Sequence, residues 1–353
     1  MGESMNSKIF IMSNIGSSSN KYSVYIKNKS KTELILTLNN NNKGRKKENS
    51  IFSIIISKLK KQNIDLRKSN LIFGVRVVAP GIFFQEHQVI NQKYLSRLKE
   101  IKHLALLHIK PVLKEITIIK KHFPKAKIIA CSDSSFHKSV PNYAKTYAIP
   151  NRLTKKNQIY RFGYHGLAVQ SAISKLKKEK KLAKKTIICH LGSGSSVTAV
   201  KNGKSIDNSM GFSPLEGIMG STRSGSVDPT LKISSKILNQ ESGFLGLTGN
   251  NDLRIILEKI KKQKKSNNNS KEKQALQIYI HQVQKAIGSA IAILNGVDLL
   301  VFTGGVGAGS ALIRKLVLKK LTFSKTKINI VKVDEMQEMF QICWKLTRNK
   351  ELS

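Results

Sequence analysis

The sequence of 353 residues contains only three cysteines, Cys131, Cys189 and Cys343, and they lie far apart. No CxxC pair is present, so neither a disulfide framework nor a zinc site is indicated. A chain with so few and so dispersed cysteines is typical of a reducing compartment. We therefore expect a cytoplasmic protein.

Long apolar runs are also absent. The most apolar stretch, 286–302, is interrupted by three polar residues and is too short and polar to span a bilayer. The N-terminal sequence lacks an apolar signal core and an arginine-rich presequence. Gly2 is followed by Asn6 where a myristoylation motif requires Ser or Thr. We expect no membrane partner.

Acidic residues are scarce, since 21 Asp and Glu stand against 62 Lys and Arg and give a formal net charge of +41. Such a balance invites a nucleic-acid-binding hypothesis. However, 52 of the 62 basic residues are lysines, whereas bidentate readers of bases and phosphates are mostly arginines. Aromatic residues, at 6%, are too few for a base-stacking platform. We interpret the charge as a solvated surface and expect no specific nucleic-acid partner.

The residues that are present indicate an α/β chain in which strands lead into turns rich in glycine. The polar segment 28–50 is predicted to be a loop, and 99–123 is predicted to be helical with a break at Pro111. The predicted strands are 8–13, 22–26, 71–78, 126–130, 186–191, 197–200 and 299–303. The other predicted helices are 51–61, 168–185, 252–265, 273–295, 311–320 and 335–346.

One pattern occurs twice. The strand–turn–strand segment 10–25, with Gly16 in its turn, resembles 186–201, with Gly192 in the equivalent place. Two such units far apart in the chain favour a duplicated fold with one hairpin in each domain. The alternative is that any two hairpins with Gly and Ser at the tip look alike.

These turns are suited to anions, because small residues let backbone N–H groups approach a phosphate closely. Lys21 follows the first tip and could place a positive charge on a phosphate. The segment 304–310 closes a buried strand, where free N–H groups can bind a nucleotide. A dinucleotide-binding fold is less favoured, because no acidic residue follows this segment before Asp334. Arg223, on a loop of Gly and Ser, could bind a phosphoryl group bidentately.

Several longer motifs occur in order along nearly the whole chain, and together they resemble the acetokinase family. The longest is HLGSGSSVTAVKNGKSIDNSMGFSPLEGIMGSTRSGSVDP at 190–229, and its MGFSPLEG and TRSG segments are similar to the acetate and propionate branch. The others are SNIGSSSNKYSVY (13–25), RVVAPG (76–81), LALLHIKP (104–111), SDSSFHKSVPNYAKTYAIP (132–150), RFGYHG (161–166), GLTG (246–249) and VFTGGVGAGS (301–310).

The resemblance implies two duplicated actin-like (RNase H-like) ATPase domains with a central nucleotide cleft. We expect an N-terminal domain at 1–150, to which a C-terminal helix at 334–353 returns, and a nucleotide-binding domain at 151–333. The implied activity is reversible phosphoryl transfer between ATP and acetate, giving acetyl phosphate and ADP. The implied cofactor is Mg²⁺, or Mn²⁺ in its place, and the implied assembly is a homodimer.

The resemblance also implies roles for single residues. The implied catalytic residues are Arg76, Asp133, His165 and Arg223, and the implied metal-linked residues are Asn14 and Glu335. The implied nucleotide-binding residues are Lys21, His190, Leu191, Gly192, Ser193, Gly194, Asp252, Leu253, Arg254, Gly304, Gly305, Val306, Gly307 and Ala308. Because a carboxylate is already a nucleophile, this chemistry depends on positioning and charge and needs no strong general base.

The chain also departs from the family pattern. Val75 and Ala79 stand where the family segment HRVVHGG has histidines, and Pro80 replaces a glycine. Ala308 replaces an acidic residue, and the shortened tail before Asp334 leaves the assignment of Glu335 open. The alternatives are a propionate or other short-chain carboxylate kinase, or a catalytically weakened nucleotide-binding remnant.

Overall fold

The computed structural model describes residues 8–16, 19–28, 31–41, 48–61, 64, 70–263, 270–321 and 326–348. The chain divides into two compact units, which we call unit 1, Met1–Ser135 with Asp334–Ser353, and unit 2, Phe136–Val333. The domain bounds expected from the sequence, 1–150 and 151–333, stay a prediction.

Runs of strands and runs of helices follow one another along the described chain. The strands are β1 (Lys8–Ile15), β2 (Ser19–Lys27), β3 (Thr32–Asn41), β4 (Asn70–Val77), β5 (Gln88–Val89), β6 (Lys127–Ser132), β7 (Lys185–Leu191), β8 (Ser195–Lys201), β9 (Lys204–Asn208), β10 (Leu299–Thr303) and β11 (Lys327–Ile330). The helices are α1 (Glu48–Lys60), α2 (Gln92–Glu100), α3 (Leu106–His122), α4 (Asn142–Lys145), α5 (Asn151–Asn157), α6 (Gly166–Lys178), α7 (Gly243–Thr248), α8 (Leu253–Lys262), α9 (Lys271–Leu294), α10 (Gly304–Gly309), α11 (Ala311–Leu318) and α12 (Glu335–Arg348).

The two sheets have equivalent topologies. In unit 1 the strand order is β3-β2-β1-β4-β6-β5, and in unit 2 it is β9-β8-β7-β10-β11. Each sheet begins with three antiparallel strands joined in sequence and continues with two parallel strands. The short β5 is an addition at one edge of the first sheet. This equivalence confirms the predicted duplication.

Helices cover both faces of each sheet. Side chains alternate along each strand, so apolar residues of one strand pack against helices on both faces. In β1, Ile9 and Ile11 join the core formed with α1 and α3. Phe10, one residue along, points to the other face and meets Phe340 of α12 with ring centroids 5.1 Å apart. In unit 2, β7 packs likewise against α9 on one face and α6 on the other. The described residues contain no helix that is both long and apolar enough to cross a membrane.

The prediction that 28–50 is a loop was wrong. Strand β3 occupies 32–41 and pairs with β2 along its length, and α1 begins at Glu48. Residues 29–30 and 42–47 lie outside the described residues. As the edge strand of the sheet, β3 keeps one side open to solvent, which accommodates the polar sequence. Its apolar residues Ile35, Leu36 and Leu38 pack against the core.

Two predicted helices also differ. Helix α3 continues through Pro111, and the break falls earlier, at Ala105, whose backbone is not helical. Helix α6 ends at Lys178 instead of continuing to 185, because Lys180 adopts a left-handed conformation and the Lys181 N–H bonds back to Leu176. This is a common way for a helix to end. The segment 304–309, where a glycine-rich turn was expected after a buried strand, forms the short helix α10.

Candidate active site

Three predicted site residues lie at neighbouring strand ends in unit 1. Asn14 and Arg76 are the next-to-last residues of β1 and β4, and Asp133 directly follows β6. These three strands are parallel neighbours, so their carboxyl ends share one edge of the sheet. Open α/β sheets place their ligands at such an edge.

The Arg76 guanidinium joins these residues. Its Nη2 donates to Asp133 Oδ2 at 2.8 Å, and its Nη1 donates to Asn14 Oδ1 at 3.2 Å. Burial would lower the pKa of Arg76, but attraction to Asp133 and Glu335 outweighs burial and raises it. Arg76 is therefore a fixed positive charge. Its buried Nε–H has no hydrogen-bond partner among the described residues.

Glu335 reaches the same cluster from the C-terminal part of the chain. It is the first residue of α12, and its Oε2 accepts a hydrogen bond from Asn14 Nδ2 at 2.7 Å. The same oxygen lies 3.8 Å from Arg76 Nη1. The Asn14 amide therefore points its oxygen at a guanidinium and its nitrogen at a carboxylate, which fixes its orientation. The shortened tail thus brings Glu335 into contact with Asn14, and its role as a metal ligand stays a prediction.

The oxygen atoms of this cluster fit a magnesium ion. Asp133 and Glu335 supply carboxylates and Asn14 supplies an amide oxygen, which are the hard donors that Mg²⁺ prefers. In the described part of the chain, no three His, Cys, Asp or Glu side chains are grouped to hold a metal. Mg²⁺ is usually bound through only one or two carboxylates together with water and substrate phosphates, so a fuller protein cage is not required.

Lys21 lies beside this cluster. It is directly opposite Asn14 in the pairing of β1 with β2, and its side chain is exposed. An exposed lysine next to the strand edge is free to contact a phosphate. The tip residues Ser17 and Ser18 lie outside the described residues.

In unit 2, the second predicted hairpin lies against the segment 304–308. The turn between β7 and β8 is closed by a hydrogen bond from the Gly192 N–H to the Gly194 carbonyl at 3.0 Å. Gly304 has φ +81°, and a Cβ there would overlap the Leu191 carbonyl oxygen, so a glycine is required. His190 Nδ1 lies 3.3 Å from the Thr303 hydroxyl. The structure thus brings together His190, Leu191, Gly192 and Gly304.

Arg223 lies on the same hairpin. The Ser221 N–H donates to the Ser193 carbonyl at 2.8 Å, which holds the arginine's loop on the turn. Arg223 Nη1 donates to the Pro214 carbonyl at 3.2 Å. The guanidinium also contacts Gly194 so closely that a Cβ at that position would overlap Nη2. Only glycine at 194 allows the arginine to lie there.

His165 completes this group. It precedes α6 and has φ +60°, an uncommon conformation for a residue other than glycine. Its Nδ1 lies 3.0 Å from the Ser196 hydroxyl, and its ring centroid lies 4.7 Å from that of His190. Strained conformations of this kind, costing about 1–3 kcal/mol, cluster at functional sites. Two imidazoles, a guanidinium and a turn of small residues form a surface suited to phosphate oxygens.

The predicted nucleotide-binding residues at 252–254 and 306–308 make local structural contacts. The Asp252 carboxylate caps α8 by accepting from the Arg254 N–H at 2.9 Å, and it pairs with the Arg254 guanidinium at 2.6 Å. Arg254 is largely exposed, and Leu253 is buried at the start of the helix. Val306, Gly307 and Ala308 lie in α10, and the carbonyls of Gly307 and Ala308 accept hydrogen bonds from Arg314 at 2.9 Å each. A nucleotide role for these residues stays a prediction.

Both groups of residues lie within the match to one known protein family. The model of the acetokinase family matches residues 8–341. The chain belongs to the acetokinase family.

Individual proteins similar to this chain support the family assignment. The acetate kinase of Sulfurovum sp. is 35% identical over 296 residues, which cover 79% of this chain and 73% of the relative. The acetate kinase of Methanosarcina mazei is 39% identical over 274 residues, covering 72% of this chain and 65% of the relative. The crystal structure of a propionate kinase from Francisella tularensis is 28% identical, with a TM-score of 0.81 and coverage of 96% and 99%. The fold of two duplicated actin-like ATPase domains follows.

This acetokinase also contains polar contacts that sequence reasoning missed. Glu115 is buried in α3, where its two carboxylate oxygens accept from the Ser13 hydroxyl at 2.7 Å and the Tyr22 hydroxyl at 3.2 Å. It thereby holds β1 and β2 beside Asn14. His87 contacts Ser132, which precedes Asp133, and Ser135, two residues after it. A single acidic residue in a lysine-rich helix and a single histidine before a two-residue strand carry no pattern that could have identified them.

Proposed function

We propose that the chain is an acetate kinase, which transfers a phosphoryl group reversibly between ATP and acetate to give acetyl phosphate and ADP. In the forward direction a carboxylate oxygen of acetate attacks the γ-phosphorus, and the bond between that phosphorus and the ADP oxygen breaks. The observation that carries the proposal is the family match over 8–341, because it covers both groups of site residues.

The contacts of Arg76 support a role in binding the carboxylate substrate. Two of its nitrogens are held by Asp133 and Asn14, so that the guanidinium is positioned before any ligand arrives. Its buried Nε–H still lacks a partner among the described residues, and an anionic oxygen would satisfy it. Asp133, bonded to Arg76, orients the arginine and is not required as a base, since acetate carries no proton to remove.

The contacts of Arg223 and His165 support a role at the phosphoryl oxygens. The transition state of phosphoryl transfer places charge on equatorial oxygens, and preorganised donors stabilise it. Arg223 is positioned by the Pro214 carbonyl, and His165 is positioned by the Ser196 hydroxyl. The N–H groups of the turn 191–194 are suited to the nucleotide phosphates.

Asn14 and Glu335, with Asp133 beside them, would hold Mg²⁺. When bound, the ion neutralises charge on the phosphates of ATP. The carboxylate and amide oxygens of this chain would fix its place, and Arg76 would keep these groups oriented. Manganese, with the same preference for oxygen, fits the same residues.

The proposal extends to location and assembly. Three free, buried cysteines and the use of ATP suit the cytoplasm. A homodimer is supported by exposed apolar side chains in one segment of unit 2, where Val227, Leu231, Ile233 and Ile237 are each more than a third exposed. Sedimentation of the purified protein tests this, and a monomer at micromolar concentration contradicts it.

The assay that tests the function measures acyl phosphate by trapping it as the hydroxamate, with ATP, Mg²⁺ and acetate, propionate or butyrate. We expect turnover, with the highest kcat/KM for acetate. A higher value for propionate favours the second candidate, a propionate kinase, to which the Francisella tularensis protein of that name is similar. ATP binding by calorimetry without turnover on any carboxylate contradicts both and identifies a nucleotide-binding remnant. The variant Arg223→Ala is the control for background activity.

A further inference from the structure

His87 lies beside the end of β6, just before the short strand β5. In the pairing of β5 with β6, Gln88 is opposite Ala130 and Val89 is opposite Ile129. The ladder therefore ends before Ser132, the last residue of β6, and the Ser132 N–H needs another acceptor. It donates to His87 Nδ1 at 3.0 Å.

The other ring nitrogen of His87 closes a ring of hydrogen bonds. His87 Nε2 lies 2.9 Å from the Ser135 hydroxyl, and that hydroxyl donates to the Ser132 carbonyl at 3.2 Å. Because Nδ1 is an acceptor, the neutral imidazole carries its proton on Nε2 and donates it to Ser135 Oγ. Burial lowers the pKa of His87 to about 4, with Glu86 opposing the effect, so the ring is neutral near pH 7. Both backbone groups of Ser132 are thus bound by side chains.

The residue that follows Ser132 is Asp133. Its backbone N–H donates to the Val77 carbonyl at 2.9 Å, and its carboxylate accepts from Arg76. The ring through His87 fixes the peptide on one side of Asp133, and Ser135 fixes the chain two residues beyond it. The turn that carries the Asp133 carboxylate, which orients Arg76, is therefore held at both of its ends.

We propose that His87 is a positioning residue for the phosphoryl-transfer reaction, which acts by holding the Ser132–Ser135 turn so that Asp133 orients Arg76. This inference rests on the proposed function for its kinetic consequence. In the contacts above, His87 bonds to Ser132 and Ser135 and touches neither Asp133 nor Arg76. Removing the His87 side chain therefore weakens the orientation of the Arg76 guanidinium and leaves nucleotide recognition intact.

Two substitutions separate positioning from simple packing. The variant His87→Asn keeps an acceptor near the position of Nδ1, whereas His87→Leu retains a side chain of similar size and removes both ring nitrogens. The control is His103→Leu, the same change at an exposed histidine in unit 1. For each variant, kcat and the KM values for acetate and ATP are measured together with the melting temperature.

We expect His87→Leu to lower kcat at least tenfold, with the KM for ATP changed less than twofold, and His87→Asn to keep kcat within threefold of the wild type. A folded His87→Leu variant with kcat within twofold of the wild type overturns the proposal. An equal loss in both variants also overturns it. If His87→Leu does not fold, Ser135→Ala serves instead: we expect a threefold or greater loss of kcat, and an unchanged kcat overturns the proposal.

A second measurement does not depend on activity. Long-range ¹H–¹⁵N correlation spectra of histidine-labelled protein identify the tautomer of each imidazole, and His87→Asn assigns the signal of His87. We expect a neutral ring protonated at Nε2. A ring protonated at Nδ1 overturns the inference even if the enzyme is active. A wild-type protein with the Nε2–H tautomer but without turnover contradicts the proposed function instead.

Discussion

The Arg76 guanidinium and the Asp133 carboxylate form an ion pair, Nη2 to Oδ2 at 2.8 Å, in which the Asp133 side chain is only 1% exposed. A carboxylate so deeply buried is compatible with a stable fold only if its partner stays in place, since an unpaired buried charge is costly. The same guanidinium donates to Asn14. The pair therefore connects the stability of unit 1 to the geometry of its candidate site.

The first prediction concerns the geometry of the positively charged group at position 76. In Arg76→Lys the ammonium keeps the charge but cannot reach both Asn14 and Asp133 in one planar fork. We expect kcat to fall about 10²-fold, near the ~3 kcal/mol that one preorganised donor contributes. Steady-state or stopped-flow kinetics measure kcat, and Arg97→Lys in α2 is the matched control. A kcat for Arg76→Lys within twofold of the wild type contradicts the assigned role.

The second prediction concerns Gly194. A Cβ at this position would overlap Arg223 Nη2, which is the far end of a flexible side chain and can move aside. We expect Gly194→Ala to leave the melting temperature nearly unchanged and to lower kcat at least tenfold by displacing the guanidinium. Gly309→Ala, where a Cβ would have nothing within 4 Å, is the control.

A double variant sharpens this prediction. In an Arg223→Ala background the guanidinium is already absent, so Gly194→Ala should cause little further loss. Additive losses from the two changes would show that Gly194 acts by another route, such as direct obstruction of the substrate.

Local sequence patterns predicted the parts of this fold that depend on neighbours in the chain. The strand–turn–strand pattern with Gly192 in its turn predicted the hairpin of β7 and β8, and its repetition predicted the duplication. The edge strand β3 was missed because the run of asparagines at 39–41 is typical of loops, and only pairing with β2 makes the segment a strand. The helix through Pro111 was missed because tertiary packing of α3 outweighs the cost of one lost hydrogen bond.

The candidate site likewise contains some residues that local motifs indicated and others that only tertiary contacts bring into place. The family motifs indicated Arg76, Asp133 and Arg223, each in a segment with a distinctive sequence. By contrast, the contact of Glu335 with Asn14 joins the two ends of the chain, and the place of His87 depends on where β5 stops pairing with β6. Such long-range contacts leave no periodic signal in a single sequence, so only the folded structure reveals them.

The third prediction concerns the metal. Glu335→Gln keeps an acceptor for Asn14 Nδ2 but removes a negative charge from the proposed Mg²⁺ position. We expect the Mg²⁺ concentration for half-maximal activity to rise at least tenfold, and chelation with EDTA to abolish turnover in the wild type and the variant. Glu100→Gln, at an exposed position in α2, is the control. An unchanged Mg²⁺ dependence of Glu335→Gln would remove Glu335 from the metal site.

The last prediction concerns stability against pH at His87. Burial lowers the pKa of this imidazole from its ordinary 6.5 to about 4 in the folded protein. Between these values the unfolded chain binds a proton that the native state does not, so the free energy of unfolding must fall as the pH falls. The contribution is complete above pH 6.5 and is lost by about pH 4, at a slope of at most about 1.4 kcal/mol per pH unit for one proton.

His87→Asn cannot bind that proton, while every carboxylate that titrates in the same range is common to both proteins. Urea denaturation at pH 7, 6 and 5 should therefore give a wild-type free energy of unfolding that decreases more steeply than that of the variant. The protonated imidazole would also lose Nδ1 as an acceptor for the Ser132 N–H, which is the physical reason that the native state resists it. Parallel pH curves for the two proteins would mean that His87 titrates normally and that its hydrogen bond to Ser132 does not hold the neutral form.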